Sequence, residues 1–70
     1  MRNAYTAVLK QDEGWWIGWI EEVQGVNCQE KTKDELLESL RETLKEAIEF
    51  NKHDALLAAG EGYLEEPIGI

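Results

Sequence analysis

The chain carries one cysteine, one proline and only seven basic residues, and it has no long apolar run. Each shortage excludes something. A lone Cys28 can neither close an internal disulfide nor supply a thiolate zinc site, so disulfide and zinc scaffolds are both out and a reducing compartment is expected. No stretch approaches the roughly 20 apolar residues of a membrane span, and Met1 to Lys10 contains no apolar run of signal-peptide type. Cytoplasmic residence is therefore expected. Seven cations against fifteen carboxylates leave a formal charge of −8, which disfavours binding to nucleic acid phosphates or to an anionic membrane surface. A basic protein suits the chain better. The six glycines are dispersed and none repeats ahead of a helix, so there is no phosphate-cradling loop. Repeats, low-complexity tracts and linkers are missing too, and the 70 residues read as one domain.

A domain of this size buries only about 60% of the surface that its unfolded form exposes. With no disulfide or metal to reinforce it, self-association as a homodimer or higher homo-oligomer is expected.

What is present is a pattern of three strands and a helix. Period-2 spacing marks a strand over about 4–10, with Tyr5, Ala7 and Leu9 on one side and Thr6, Val8 and Lys10 on the other. Gln11 to Gly14 forms a polar break of hairpin length. The second strand, 15–20, alternates Trp15, Ile17 and Trp19 with Trp16, Gly18 and Ile20, so neither side is polar and both faces are to be covered. Glu21 to Gly25 is a second break, and 26–30 a short third strand. Thr32-Lys33-Asp34-Glu35 is a capping box, in which the Thr32 hydroxyl takes the Glu35 N–H while the Glu35 carboxylate returns to the Thr32 N–H. The helix it opens is predicted over about 33–51. At about 100° per residue, Leu36, Ala47, Leu40, Leu44, Leu37 and Ile48 form one stripe, opposite Glu38, Arg41, Glu42, Lys45, Glu46 and Glu49. Beyond Asn51 the stripe weakens, Gly60 offers a stop, and Tyr63-Leu64 within a tail of 61–70 is a candidate fourth strand before Pro67. The predicted class is α+β, a small antiparallel sheet packed on one amphipathic helix in the order βββα(β).

Nothing in this pattern is catalytic. The carboxylate pairs Asp12/Glu13, Glu21/Glu22 and Glu65/Glu66 are each adjacent in sequence, so their side chains diverge in a strand and are solvated in a turn. His53 lies near the predicted end of the helix, and no serine or cysteine has the setting of an activated nucleophile. No cofactor or metal site is expected. A single helix covers one face of a sheet, so the aromatics on the other face must meet water, a second copy or another protein. Trp15, Trp16, Trp19, Glu21 and Glu22 are the candidate interface residues: aromatic anchors beside carboxylates that would steer a basic partner.

The stretch Asp12 to Ile20, then Val23 to Val26, then Thr32 to Ala47 resembles the HicB family of antitoxin-like domains, over roughly Tyr5 to Phe50. The acidic Gly turn matches at Asp12 to Gly14, the aromatic positions at Trp16 and Trp19, the glycine at Gly25, and the helix opening at Thr32, Asp34 and Glu35. Gln24, Val26, Glu30 and Leu36 stand where the family has Pro, Cys, Gly and Ala. The resemblance implies a degraded ribonuclease H-like fold with a closing strand. It also implies a non-enzymatic antitoxin that occludes a small basic, mRNA-cleaving toxin of HicA type. It further implies a short form without the C-terminal DNA-binding domain of many family members, since Asp54 to Ile70 has no composition for a DNA reader. Two other readings stand beside it: a stand-alone homo-oligomeric domain of this fold with no toxin partner, and, on the ribonuclease H-like fold that the resemblance implies, a vestigial ribonuclease H-like enzyme using Asp12, Glu13 or Glu21 with a divalent metal.

Overall fold

A computed structural model describes residues 4–69. It contains strands β1 (Ala7–Asp12), β2 (Trp15–Ile20) and β3 (Asn27–Glu30), followed by helix α1 (Lys33–Ala59). The sheet is antiparallel in the order β1-β2-β3, so the architecture is the expected α+β arrangement, βββα.

The first hairpin is tighter than its polar composition indicates. Asp12 pairs with Trp15 and Leu9 with Gly18, which leaves only Glu13 and Gly14 in the turn. Both have positive φ, 52° and 85°, the conformation in which a two-residue connection matches the strand twist. β1 therefore runs to Asp12, past the predicted end at Lys10, and starts at Ala7. Thr6 is still held to the far turn, because its N–H donates to Glu22 Oε1 at 2.8 Å and its carbonyl accepts the Glu21 N–H at 2.9 Å. Accepting that backbone donor holds the Glu22 carboxyl below its ordinary value.

β3 begins at Asn27 rather than Val26. Val26 instead offers its carbonyl to the Ile20 N–H at 3.1 Å and turns its side chain into the core, where it is 1% exposed. Leu36, Leu40, Ile20 and Val26 make up that core, with Ala7, Leu9, Trp16, Val23, Cys28, Leu44 and Ala47 packed around it. α1 rests on β2 and β3. Its close approach depends on Gly18: a Cβ there would stand 3.0 Å from Leu9 Cδ2, 3.0 Å from the Val8 carbonyl oxygen and 3.1 Å from Leu36 Cδ2. Two side-chain contacts tie helix to sheet beside the core, Ser39 Oγ donating to Glu30 Oε2 at 2.7 Å and Cys28 Sγ lying 3.4 Å from Thr43 Oγ1.

The helix opens at the expected cap. Thr32 Oγ1 accepts the Glu35 N–H at 3.1 Å, an arrangement worth about 1 kcal/mol over Ala. The returning arm differs from the expected one: the Thr32 hydroxyl itself donates to Glu35 Oε1 at 3.0 Å. The C-terminal boundary also differs. α1 continues past the predicted end near residue 51 to Ala59, and Gly60 caps it at φ 71° with its N–H on the Leu56 carbonyl. Lys52 and the run Ala55 to Ala59 are good helix formers, so backbone preference carries the helix on after its apolar stripe has thinned. The tail makes no fourth strand over residues 61–69, which have no regular structure; residue 70 of the expected segment lies outside the described residues. Gly62, Gly69, the adjacent Glu65-Glu66 and Pro67 all fall in this short tail, and residues of these types sustain a ladder poorly.

Candidate functional site

Alternation along β2 decides which side chains are available. Trp16 and Ile20 pack with the core, and Gly18 lies beneath Leu36, so Trp15, Ile17 and Trp19 project from the opposite, uncovered face. The registers place their neighbours. On β1, Val8 is opposite Trp19, Lys10 opposite Ile17 and Asp12 opposite Trp15. On β3, Asn27 is opposite Trp19 and Gln29 opposite Ile17. Lys31, one residue past β3, lays its ammonium 3.9 Å from the Trp15 ring centroid, a cation–π contact that fixes the ring and takes up that charge locally.

The result is an apolar strip of Val8, Trp15, Ile17 and Trp19 with polar borders. Trp15 and Ile17 are half-buried by their neighbours, whereas Trp19 is 38% exposed. An open groove of about 420 Å³ runs beside the strip, lined by Ile17, Gly18, Trp19, Asn27, Cys28 and Gln29. Carboxylates stand at both ends of β2, Asp12 and Glu13 at the first turn and Glu21 and Glu22 at the second. A second concavity, about 260 Å³, opens on the other side of the sheet between β1 and the helix, lined by Tyr5, Ala7, Ile20, Leu37, Leu40, Arg41 and Leu44. It exists because α1 sits over β2 and β3 and leaves the β1 flank uncovered.

The five candidate interface residues are thus divided. Trp15 and Trp19 share the outer face, while Trp16 is on the helix side against the core. Glu22 is engaged in holding Thr6, and Glu21, exposed, offers its backbone N–H to the same residue. Thr32 and Glu35 serve the helix cap alone. Ile17 shares the face by the alternation along β2 already legible in the sequence, whereas Val8, Asn27, Gln29 and Lys31 join it through strand register, which the residue order does not disclose.

The carboxylates weighed for metal chemistry do not converge. Asp12 and Glu13 are separated from Glu21 by the six-residue length of β2, about 20 Å. Among the described residues no group of three or more His, Cys, Asp or Glu could hold a metal ion, and no helix is long and apolar enough to cross a membrane.

No family model matches the chain, and no curated protein or solved structure matches it either. The likeness to HicB-like antitoxins therefore stands on the quoted residues alone.

Proposed function

We propose that this chain is a non-catalytic protein-binding module that docks a small basic protein on the outer face of its sheet. The observation that carries the reading is Trp19, a large aromatic left 38% exposed within an apolar strip on a chain with a net charge of −8. Exposed aromatics set among polar neighbours are the usual anchors of protein interfaces. Carboxylates at both turns supply attraction for a basic partner without interrupting the strip. The resemblance to HicB-like domains supplies the partner's class, a HicA-type mRNA-cleaving toxin whose active site the module would cover, in the cytoplasm. Without that resemblance the reading is a docking module for a basic protein.

Capture from cytoplasmic extract at low and at high salt, with mass spectrometry of the retained proteins, tests the proposal. A small basic ribonuclease should be retained, partly so at high salt because apolar contact underlies the charge. Trp19→Ala should reduce its retention roughly tenfold or more and leave the far-ultraviolet circular dichroism unchanged. Trp16→Ala is not a suitable probe, since it removes core packing. Retention unaffected by Trp19→Ala would place the site elsewhere, and recovery of the chain alone would favour a stand-alone homo-oligomer.

A further inference from the structure

The outer edge of β1 is an unused hydrogen-bonding ladder. The Thr6 carbonyl accepts the Glu21 N–H across the gap to β2, and bonding alternates along an antiparallel strand, so Val8, Lys10 and Asp12 bond β2 while Ala7, Leu9 and Gln11 direct their N–H and C=O groups the other way. β2 is the one neighbour of β1 in the sheet, and among the described residues no backbone bond reaches those three groups from outside. Such an edge is a template for another strand. Beside it opens the concavity of about 260 Å³ that Tyr5 and Ala7 line from the strand and Arg41 from the helix.

Charge and reach narrow what can fill this place. Arg41 is the one charged residue lining the concavity, which favours an acidic occupant over the basic protein proposed for the outer face. The chain's own tail is acidic, but it starts too far away: from Leu44 to the cap at Gly60 the helix runs on for about 24 Å, whereas Tyr63-Leu64 can return at most about 14 Å from that cap. A second copy of the chain, with a net charge of −8, meets both conditions.

We propose that two copies of this chain join β1 to β1, antiparallel about a two-fold axis at Leu9, so that their three-stranded sheets run on as one. In that register Leu9 is opposite Leu9, and Ala7 of each copy is opposite Gln11 of the other. Each of these pairs exchanges two backbone bonds, so every outward group of the ladder is used. Val8 of each copy is opposite Lys10 of the other, and no like charges stand directly opposite, whereas a register centred on Lys10 would set the two ammonium groups face to face. Continuing the same register brings Glu13 of each copy level with Tyr5 of the other. The acidic turn Asp12-Glu13 therefore lands at the concavity that Tyr5 shares with Arg41, and the two-fold axis makes this charge contact twice. Trp15 and Trp19 lie on β2 and take no part, so dimerisation and docking use different surfaces.

Sedimentation equilibrium of the full chain under reducing conditions, without any partner protein, tests the association. The wild type and Trp19→Ala should sediment at twice the 8.0 kDa chain mass. Gln11→Pro removes an outward N–H from an edge strand, where proline leaves the hairpin intact, and Arg41→Glu, at an exposed helix position, removes the charge contact; each should weaken association about tenfold or more with unchanged circular dichroism. A mixture of Arg41→Glu with Glu13→Lys should regain the dimer, because each introduced charge then meets its opposite in the other chain. The register is read separately by oxidative cross-linking in a Cys28→Ser background, which holds whether or not Gln11→Pro folds. Val8→Cys mixed with Lys10→Cys should form a disulfide between chains, since those two positions are about 5 Å apart at Cβ, and neither variant alone should do so. A monomeric wild type, which would leave the edge to a foreign strand, overturns the proposal. So does a folded Gln11→Pro or Arg41→Glu chain that dimerises as tightly as the wild type, a dimer lost in Trp19→Ala, or a cross-link that forms in Val8→Cys alone or fails in the mixture.

Discussion

Replacing Gly18 by alanine puts a methyl group into a space already closed on three sides. The Cβ position lies 3.0 Å from Leu9 Cδ2, 3.0 Å from the Val8 carbonyl oxygen and 3.1 Å from Leu36 Cδ2, all well inside ordinary contact distance. The two leucine ends can rotate, but Leu36 is completely buried and has little room, and the Val8 oxygen is backbone of the neighbouring strand. Overpacking of this kind costs about 1–3 kcal/mol. Against it, alanine restricts the unfolded chain more than glycine does and recovers about 0.4–1 kcal/mol. The net expectation is a loss of about 1–2 kcal/mol, from a total of about 4–10 kcal/mol for a domain of this length. Thermal unfolding followed by circular dichroism should show the midpoint falling by roughly 5–15 °C. Leu9→Val in the same chain removes one of the three contacts, so the double variant should lose less than the two single variants added together. A Gly18→Ala chain as stable as the wild type, or more stable, would refute the claim that Gly18 sets the helix-to-sheet distance.

Two further predictions concern the turns. Glu13 occupies a left-handed conformation at φ 52° with no glycine or asparagine advantage, so Glu13→Asn should stabilise the hairpin by about 0.5–1 kcal/mol; an unchanged or lower urea midpoint would contradict this. The Glu22 carboxyl is held below its ordinary value by the Thr6 N–H. A depressed folded-state value means that its stabilising effect is complete above the unfolded carboxyl value and is lost as the pH falls through the folded one. The stability difference between the wild type and Glu22→Ala, measured by urea unfolding, should therefore be present at neutral pH and shrink in acid, and a difference independent of pH would remove the charge from the explanation.

Much of this protein follows from local chemistry. Alternation at 15–20 specifies a strand with two apolar sides, Thr32 and Glu35 specify where the helix begins, and the Leu36/Leu40 spacing specifies which side of it is buried, because each of these depends on bonds and periods within a few residues. The limits of local reasoning appear at the same elements. Helix α1 outlasts its apolar stripe because intrinsic preference persists where packing has stopped, and a stripe-based boundary near residue 51 misses that. The tail beyond Gly60 has strand-like residues at Tyr63-Leu64 but no paired neighbour among the described residues, and a strand is defined by its neighbour.

The candidate site shows the division most clearly. The residue order establishes that three tryptophans on β2 cannot all share one face, and Gly18 is the one local difference between two apolar faces, but its effect depends on a helix that packs there from elsewhere in the chain. Tertiary packing decides the matter: only the side bearing Gly18 lets Leu36 approach closely, so Trp16 turns inward with it and Trp15 and Trp19 remain outside. The same packing brings Lys31 over Trp15 and Val8 beside Trp19 through strand register, a relation between residues distant in the chain that no local period encodes.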